Sequence, residues 1–227
     1  MRMLRERIVT FHGLGTPHAG VPAEEIPYWL SSGAFDALLQ RCQIARNQRG
    51  IETVLTFDDG NSTDATIALP ALTKYGFKAI FFLCAARIGT PHFVDRAALA
   101  DLLSAGMEIG SHGMHHVSWR NLDPASQAIE YDGACSRIED VCGRRVTKAA
   151  MPFGLYDRRV LSNLRSRHFE HVYTCDRGIA DAGAWLKTRT TMDVKTPATT
   201  LDQLFSEVAP SSLALRSKAA VLYKSLR

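Results

Sequence analysis

Nowhere in its 227 residues does the chain approach the roughly 18 consecutive apolar residues that a membrane-spanning helix needs, so a membrane-embedded function is not expected. The start Met1-Arg2-Met3-Leu4-Arg5-Glu6-Arg7 lacks the apolar core of a signal peptide and leads straight into a strand-like stretch. The expected location is therefore the cytoplasm or the inner membrane face. Cysteine is sparse: Cys42, Cys84, Cys135, Cys142 and Cys175 are odd in number and include no Cys-x-x-Cys, which argues against a disulfide framework and a cysteine-based zinc site. A dense basic run is also missing. With a net charge of only +4, nucleic acid is not an expected partner. No internal repeat, low-complexity tract or Gly/Ser linker justifies a cut, so residues 1–227 read as one domain, with about 200–227 a C-terminal helical extension.

What is present is an ordinary globular balance of 46% hydrophobic and 22% charged residues. Short β-branched runs alternate with longer helix-like stretches, the rhythm of repeated β-α units and a largely parallel sheet. Seven strands are predicted: Arg7 to Phe11, Glu52 to Phe57, Lys78 to Leu83, Met107 to Ser111, Thr147 to Met151, His171 to Cys175, and a weaker one near Leu186 to Thr190. Helices are predicted over Ala65 to Tyr75, interrupted by Pro70, and over Asp95 to Ala105, Asp123 to Val141 and Asp157 to Arg167. The economical architecture is a distorted α/β barrel of about seven strands, with an open doubly wound sheet as the alternative.

In such folds reactive groups gather where strands give way to loops. Three predicted strands end in Asp58-Asp59-Gly60, in His112-Gly113-Met114-His115-His116 and in His12-Gly13. Neighbouring carboxylates on an extended backbone point to different sides, so Asp58 and Asp59 can hold separate roles, although Asp-Asp-Gly also reads as a plain strand-ending turn. His112 and His116 are four apart and share a face if the segment forms a helical turn, a common zinc geometry. His115, at three-residue spacing, competes for the same role. A catalytic zinc usually takes three protein ligands, so the pair calls for a carboxylate from a neighbouring strand end.

Thr56-Phe57-Asp58-Asp59-Gly60, followed by Ser111-His112-Gly113-Met114-His115-His116, resembles the first two motifs of the polysaccharide deacetylase family (the NodB-homology domain), and Met151-Pro152-Phe153-Gly154 followed by Tyr156-Asp157 is in part similar to its third. The similar stretch runs from about Ile8 to Arg189. The resemblance implies a distorted seven-stranded β/α barrel and removal of an acetyl group from an N-acetylated sugar or polysaccharide. It also implies Asp59, His112 and His116 as ligands of a divalent metal, zinc by preference, Asp58 as general base and the backbone amide of Phe153 as an oxyanion donor. Two departures follow. No histidine lies beyond His171 to serve as the usual C-terminal acid, so His12 takes that role, as in members with a rearranged barrel such as poly-N-acetylglucosamine deacetylases. Ala150 stands where the family often has an arginine beside the base, and Arg189 is the best substitute, although it also reads as an exposed structural arginine.

Tyr28, Trp29 and Trp119 are candidates for stacking on sugar, with core packing an equal explanation. His18, His92, His168 and His171 have no partner pattern. From Ser211 to Arg227, Leu213, Leu215, Leu222 and Leu226 alternate with Arg216, Lys218, Lys224 and Arg227, the pattern of a helix that packs on its own domain or touches a membrane surface peripherally. Competing functions are a related metal-dependent C–N or ester hydrolase acting on a small molecule, and a carbohydrate-binding protein without turnover.

Overall fold

The computed structural model describes residues 5–206 and 211–226, and all side chains among them except those of residues 198 and 211–216. The side chains of Leu213, Leu215, Arg216 and Arg227 thus lie outside the described residues.

Six strands run parallel in sequence order: β1 (Arg5–Phe11), β2 (Thr53–Asp59), β3 (Ala79–Leu83), β4 (Glu108–Ser111), β5 (Lys148–Ala150) and β6 (His171–Thr174). β7 (Ile179–Asp181) lies antiparallel to β1. β8 (Leu186–Thr188) pairs with β6, and β9 (Thr190–Thr191) pairs in parallel with β1. One short stretch interrupted at Arg189 therefore bonds to both edges of the sheet and nearly closes it into a barrel. The open doubly wound alternative is set aside. β7 was not foreseen, because three residues with a polar end carry too little periodicity to stand out.

Alternation along the strands divides the apolar residues into two sets. Phe11, Phe57 and Phe81 lie in register on adjacent strands, stack at 5.1 and 4.7 Å between ring centroids, and face the helical layer, where Phe35 meets Phe11 edge-on. Ile8, Ile80, Phe82, Ala150 and Tyr173 form the second, inner cluster that fills the barrel. All five residues of β3 are buried, as expected of a parallel strand covered on both faces.

The helical layer comprises α1 (Ser32–Arg49), α2 (Leu69–Tyr75), α3 (Arg96–Ser104), α4 (Pro124–Gln127), α5 (Ala134–Cys142), α6 (Arg158–Ser166), α7 (Ala198–Leu204) and α8 (Ser211–Leu226). Caps set the starts: Ser31, Asp95, Asp123 and Asp157 each accept a backbone N–H three residues on. α1, which the sequence reading did not specify, ends at Gly50 in the left-handed region. Pro70 does not interrupt its helix. It sits in the first turn of α2, where its missing N–H is harmless, and a π-helical turn over Asp64–Ala68 leads into it. A second π-helical segment, Ala128–Gly133, joins α4 to α5.

Candidate active site and metal centre

The strand ends bring Asp58, Asp59, His112 and His116 together at one mouth of the barrel. Asp58 continues the inward alternation of Val54 and Thr56, so its carboxylate enters the barrel. Asp59 leaves the strand at φ 79°, a left-handed conformation that aspartate tolerates better than most residues and that turns its side chain toward the histidines. One oxygen of Asp59 lies 3.4 Å from His116 Nε2 and 3.9 Å from His112 Nε2. Asp59, His112 and His116 each offer a donor atom, all within 4.8 Å of one another. His112 Nδ1 lies 2.8 Å from the Ala150 carbonyl and donates to it, which leaves Nε2 as the lone-pair nitrogen facing the aspartates. Burial lowers the His112 pKa to about 4 despite the nearby Asp58 and Asp59 charges, so the imidazole is neutral, the form a metal requires. Two imidazoles, one carboxylate and a fixed tautomer fit a divalent ion of the zinc type.

The histidine pair does not form as the spacing predicted. Residues 112–116 are an irregular loop, with Gly113 at φ 84° and His116 at φ 57°. Two left-handed residues, not a helical turn, bring the imidazoles to 5.2 Å between ring centroids. His115 points away, its Nδ1 2.9 Å from the buried carboxylate of Glu130, so it is not in the cluster. Arg87, which the sequence reading missed, lies with one terminal nitrogen 3.4 Å from Asp59 and the other 3.4 Å from His116 Nδ1.

Arg189 is wholly buried, contrary to the exposed alternative. It donates to both oxygens of Asp58 at 2.7 and 2.8 Å and to the hydroxyls of Thr10 and Thr56 at 3.1 and 3.2 Å. Its guanidinium also lies over the rings of Phe82 and Tyr173. A bidentate fork from the stretch that closes the barrel thus holds Asp58. Burial by itself raises the Asp58 pKa, but the Arg189 charge, aided by His112, outweighs it and holds the carboxyl well below the ordinary range. Asp59 is lowered as well: burial opposes ionisation, and electrostatic interaction with the neighbouring His12, His116, His112 and Arg87 side chains overcomes it.

His12 follows β1, its ring 5.2 Å from that of Tyr28, with a buried Nδ1 that has no hydrogen-bond partner. Phe153 sits at φ 59° after Pro152, its exposed ring 4.5 Å from that of His116. Of the aromatic candidates only Tyr28 is exposed. Trp29 is buried against Gly13, and Trp119 is buried edge-on to Tyr131, so both belong to packing. Asp64 is a further unforeseen group, fully buried with neither oxygen bonded. Burial and the charges of Asp59 and Asp58 push its pKa well up.

Fold and site together define a class, single-domain β/α barrels that carry a two-histidine, one-carboxylate centre and an arginine-paired second carboxylate at the strand ends. The chain belongs to the polysaccharide deacetylase family, whose model matches residues 45–172. It is 24% identical over 182 residues to YxkH of Bacillus subtilis (strain 168), an inferred polysaccharide deacetylase; the match covers 76% of this chain and only 65% of that longer protein. The fold is similar to that of the Streptococcus pyogenes deacetylase PplD, solved with acetate, at a TM-score of 0.76 and 19% identity over 90% of this chain and 99% of that one. IcaB from Ammonifex degensii matches at a TM-score of 0.72 and 18% identity over 88% and 95% of the two chains.

Proposed function

We propose that this protein hydrolyses the acetyl group from an N-acetylated sugar or polysaccharide, with Asp58 as general base, His12 as general acid and a divalent ion, zinc by preference, held by Asp59, His112 and His116. The family implies carbohydrate deacetylation. The observation that carries the residue assignment is the division of labour between adjacent carboxylates: Asp58 is clamped by Arg189 inside the barrel, and Asp59 faces both imidazoles.

Arg189 keeps Asp58 ionised and fixes its plane, so one oxygen can receive a proton from an attacking water. An ion held by Asp59, His112 and His116 would polarise the acyl carbonyl and acidify that water, help that a base so weakened by its arginine requires. His12 approaches the same centre from β1 and gives its proton to the departing amine. The Phe153 amide, presented by its left-handed backbone, donates to the oxyanion that forms on the substrate. The test is acetate release from N-acetylglucosamine oligomers after chelation and zinc return, comparing wild type with Asp58→Asn and His12→Ala. Release that requires zinc and collapses in both variants supports the assignment. Zinc bound without release redirects the search to other small acyl amides or esters.

For α8 we propose a peripheral membrane contact, supported by its exposed Leu222, Tyr223 and Leu226. Lys224 is already engaged by the Gly154 carbonyl and by Asp176, which docks the helix beside the Phe153 loop. Liposome binding that survives deletion of 211–227 sinks this proposal.

A further inference from the structure

The loop that carries His112 and His116 has no secondary structure of its own, yet nearly every polar group on its backbone between them is engaged. Its carbonyls, those of Gly113 and Met114, accept from the Ala85 and Ala86 amides at 2.9 and 3.0 Å. The Gly113 amide donates to the Ser111 hydroxyl, and the next two amides meet one carboxylate. Glu130 accepts from Met114 N at 2.9 Å and from His115 N at 3.1 Å, and its Oε1 also lies 2.9 Å from His115 Nδ1. Glu130 is buried and belongs to the π-helical segment between α4 and α5. The fit leaves no slack: a Cβ on Gly113 would stand 2.7 Å from Glu130 Oε2. About two helical turns further on, Arg137 of α5 donates to the Ala85 carbonyl at 2.8 Å, so the following helix also grips the 3-10 turn Ala85–Arg87 that bonds to the loop.

We infer that Glu130 is the positioning residue of the metal centre, a carboxylate clamp that holds loop 113–115 so that His116, at φ 57°, presents Nε2 to the same point as His112 and Asp59. The inference rests on reading these three residues as metal ligands. The chemistry favours a carboxylate over any other side chain, because three N–H groups converge on one point and only an acceptor with two oxygens and no hydrogens satisfies them all. Groups behind metal ligands typically set affinity by about 10–100-fold.

Glu130→Gln preserves shape but turns two N–H donors against that converging set. Its zinc affinity, read by competition with a chromophoric chelator, is expected to fall by about 10–100-fold. His115→Ala removes only the imidazole contact and is expected to bind zinc within a few-fold of wild type, as a backbone clamp requires. Amide hydrogen exchange of the chelated proteins gives a metal-independent reading, with Met114 and His115 expected to exchange faster in Glu130→Gln. Wild-type zinc affinity in Glu130→Gln overturns the clamp, as does unchanged exchange at these two amides. A loss in His115→Ala equal to that in Glu130→Gln overturns the backbone role. None of these readings uses acetate release, so the clamp and the deacetylase assignment fail on separate measurements.

Discussion

Replacing Arg189 by Met keeps a long, slender side chain inside the barrel and removes the charge from a carboxylate that has no solvent exposure to fall back on. Asp58 then loses two charge-assisted hydrogen bonds, and the Thr10 and Thr56 hydroxyls each lose a donor. Breaking a buried ion pair from one side costs about 3–5 kcal/mol, because the survivor is left charged in a medium that cannot solvate it. For a chain of this length that corresponds to a fall in Tm of about 6–20 °C.

The pH dependence is the sharper reading. In the wild type Asp58 ionises below the value of an unfolded chain, so its contribution is complete above that value and is lost as pH falls through the folded one. Without the guanidinium, burial dominates and Asp58 ionises above the unfolded value, so it costs stability increasingly as pH rises between the two. The deficit of Arg189→Met relative to wild type should therefore be large near pH ~7 and shrink toward pH ~4. Arg189→Lys, which keeps charge but not the fork, should lie between them. Urea unfolding of the chelated proteins across that range measures it. A deficit that is absent, or constant with pH, refutes the claim that Arg189 serves to hold an ionised Asp58.

Asp64, unbonded and raised by burial and by the nearby aspartates, has the opposite sign: it weakens the fold as pH rises above the unfolded value. Asp64→Asn should raise the urea midpoint near pH ~8 and leave it unchanged near pH ~3. Gly113→Ala forces a Cβ against Glu130 and Trp119 at a φ of 84°. It should cost about 1–3 kcal/mol and weaken zinc binding, seen by thermal unfolding and chelator competition.

The sequence placed Asp58, Asp59, His112, His116 and His12 at strand ends legible from alternating β-branched runs, and the family resemblance pointed to Arg189 as the partner of Asp58; of these, the structure groups Asp59, His112 and His116 as a candidate metal set. The sequence could not show that Arg189, 131 residues from Asp58, closes on it in a two-pronged pair, because that contact exists only once β8 and β9 bond to opposite edges and nearly close the barrel. The spacing of His112 and His116 pointed to a helical turn, whereas two left-handed residues and the carboxylate of Glu130 shape the loop. Glu130 carries no signal in the sequence, being one acidic residue on a helix that would ordinarily face water. Periodicity fixes local conformation and hence which residues reach the barrel mouth. Which of them meet, and which buried charges are answered by a partner, depends on contacts distant in sequence that only the folded chain creates.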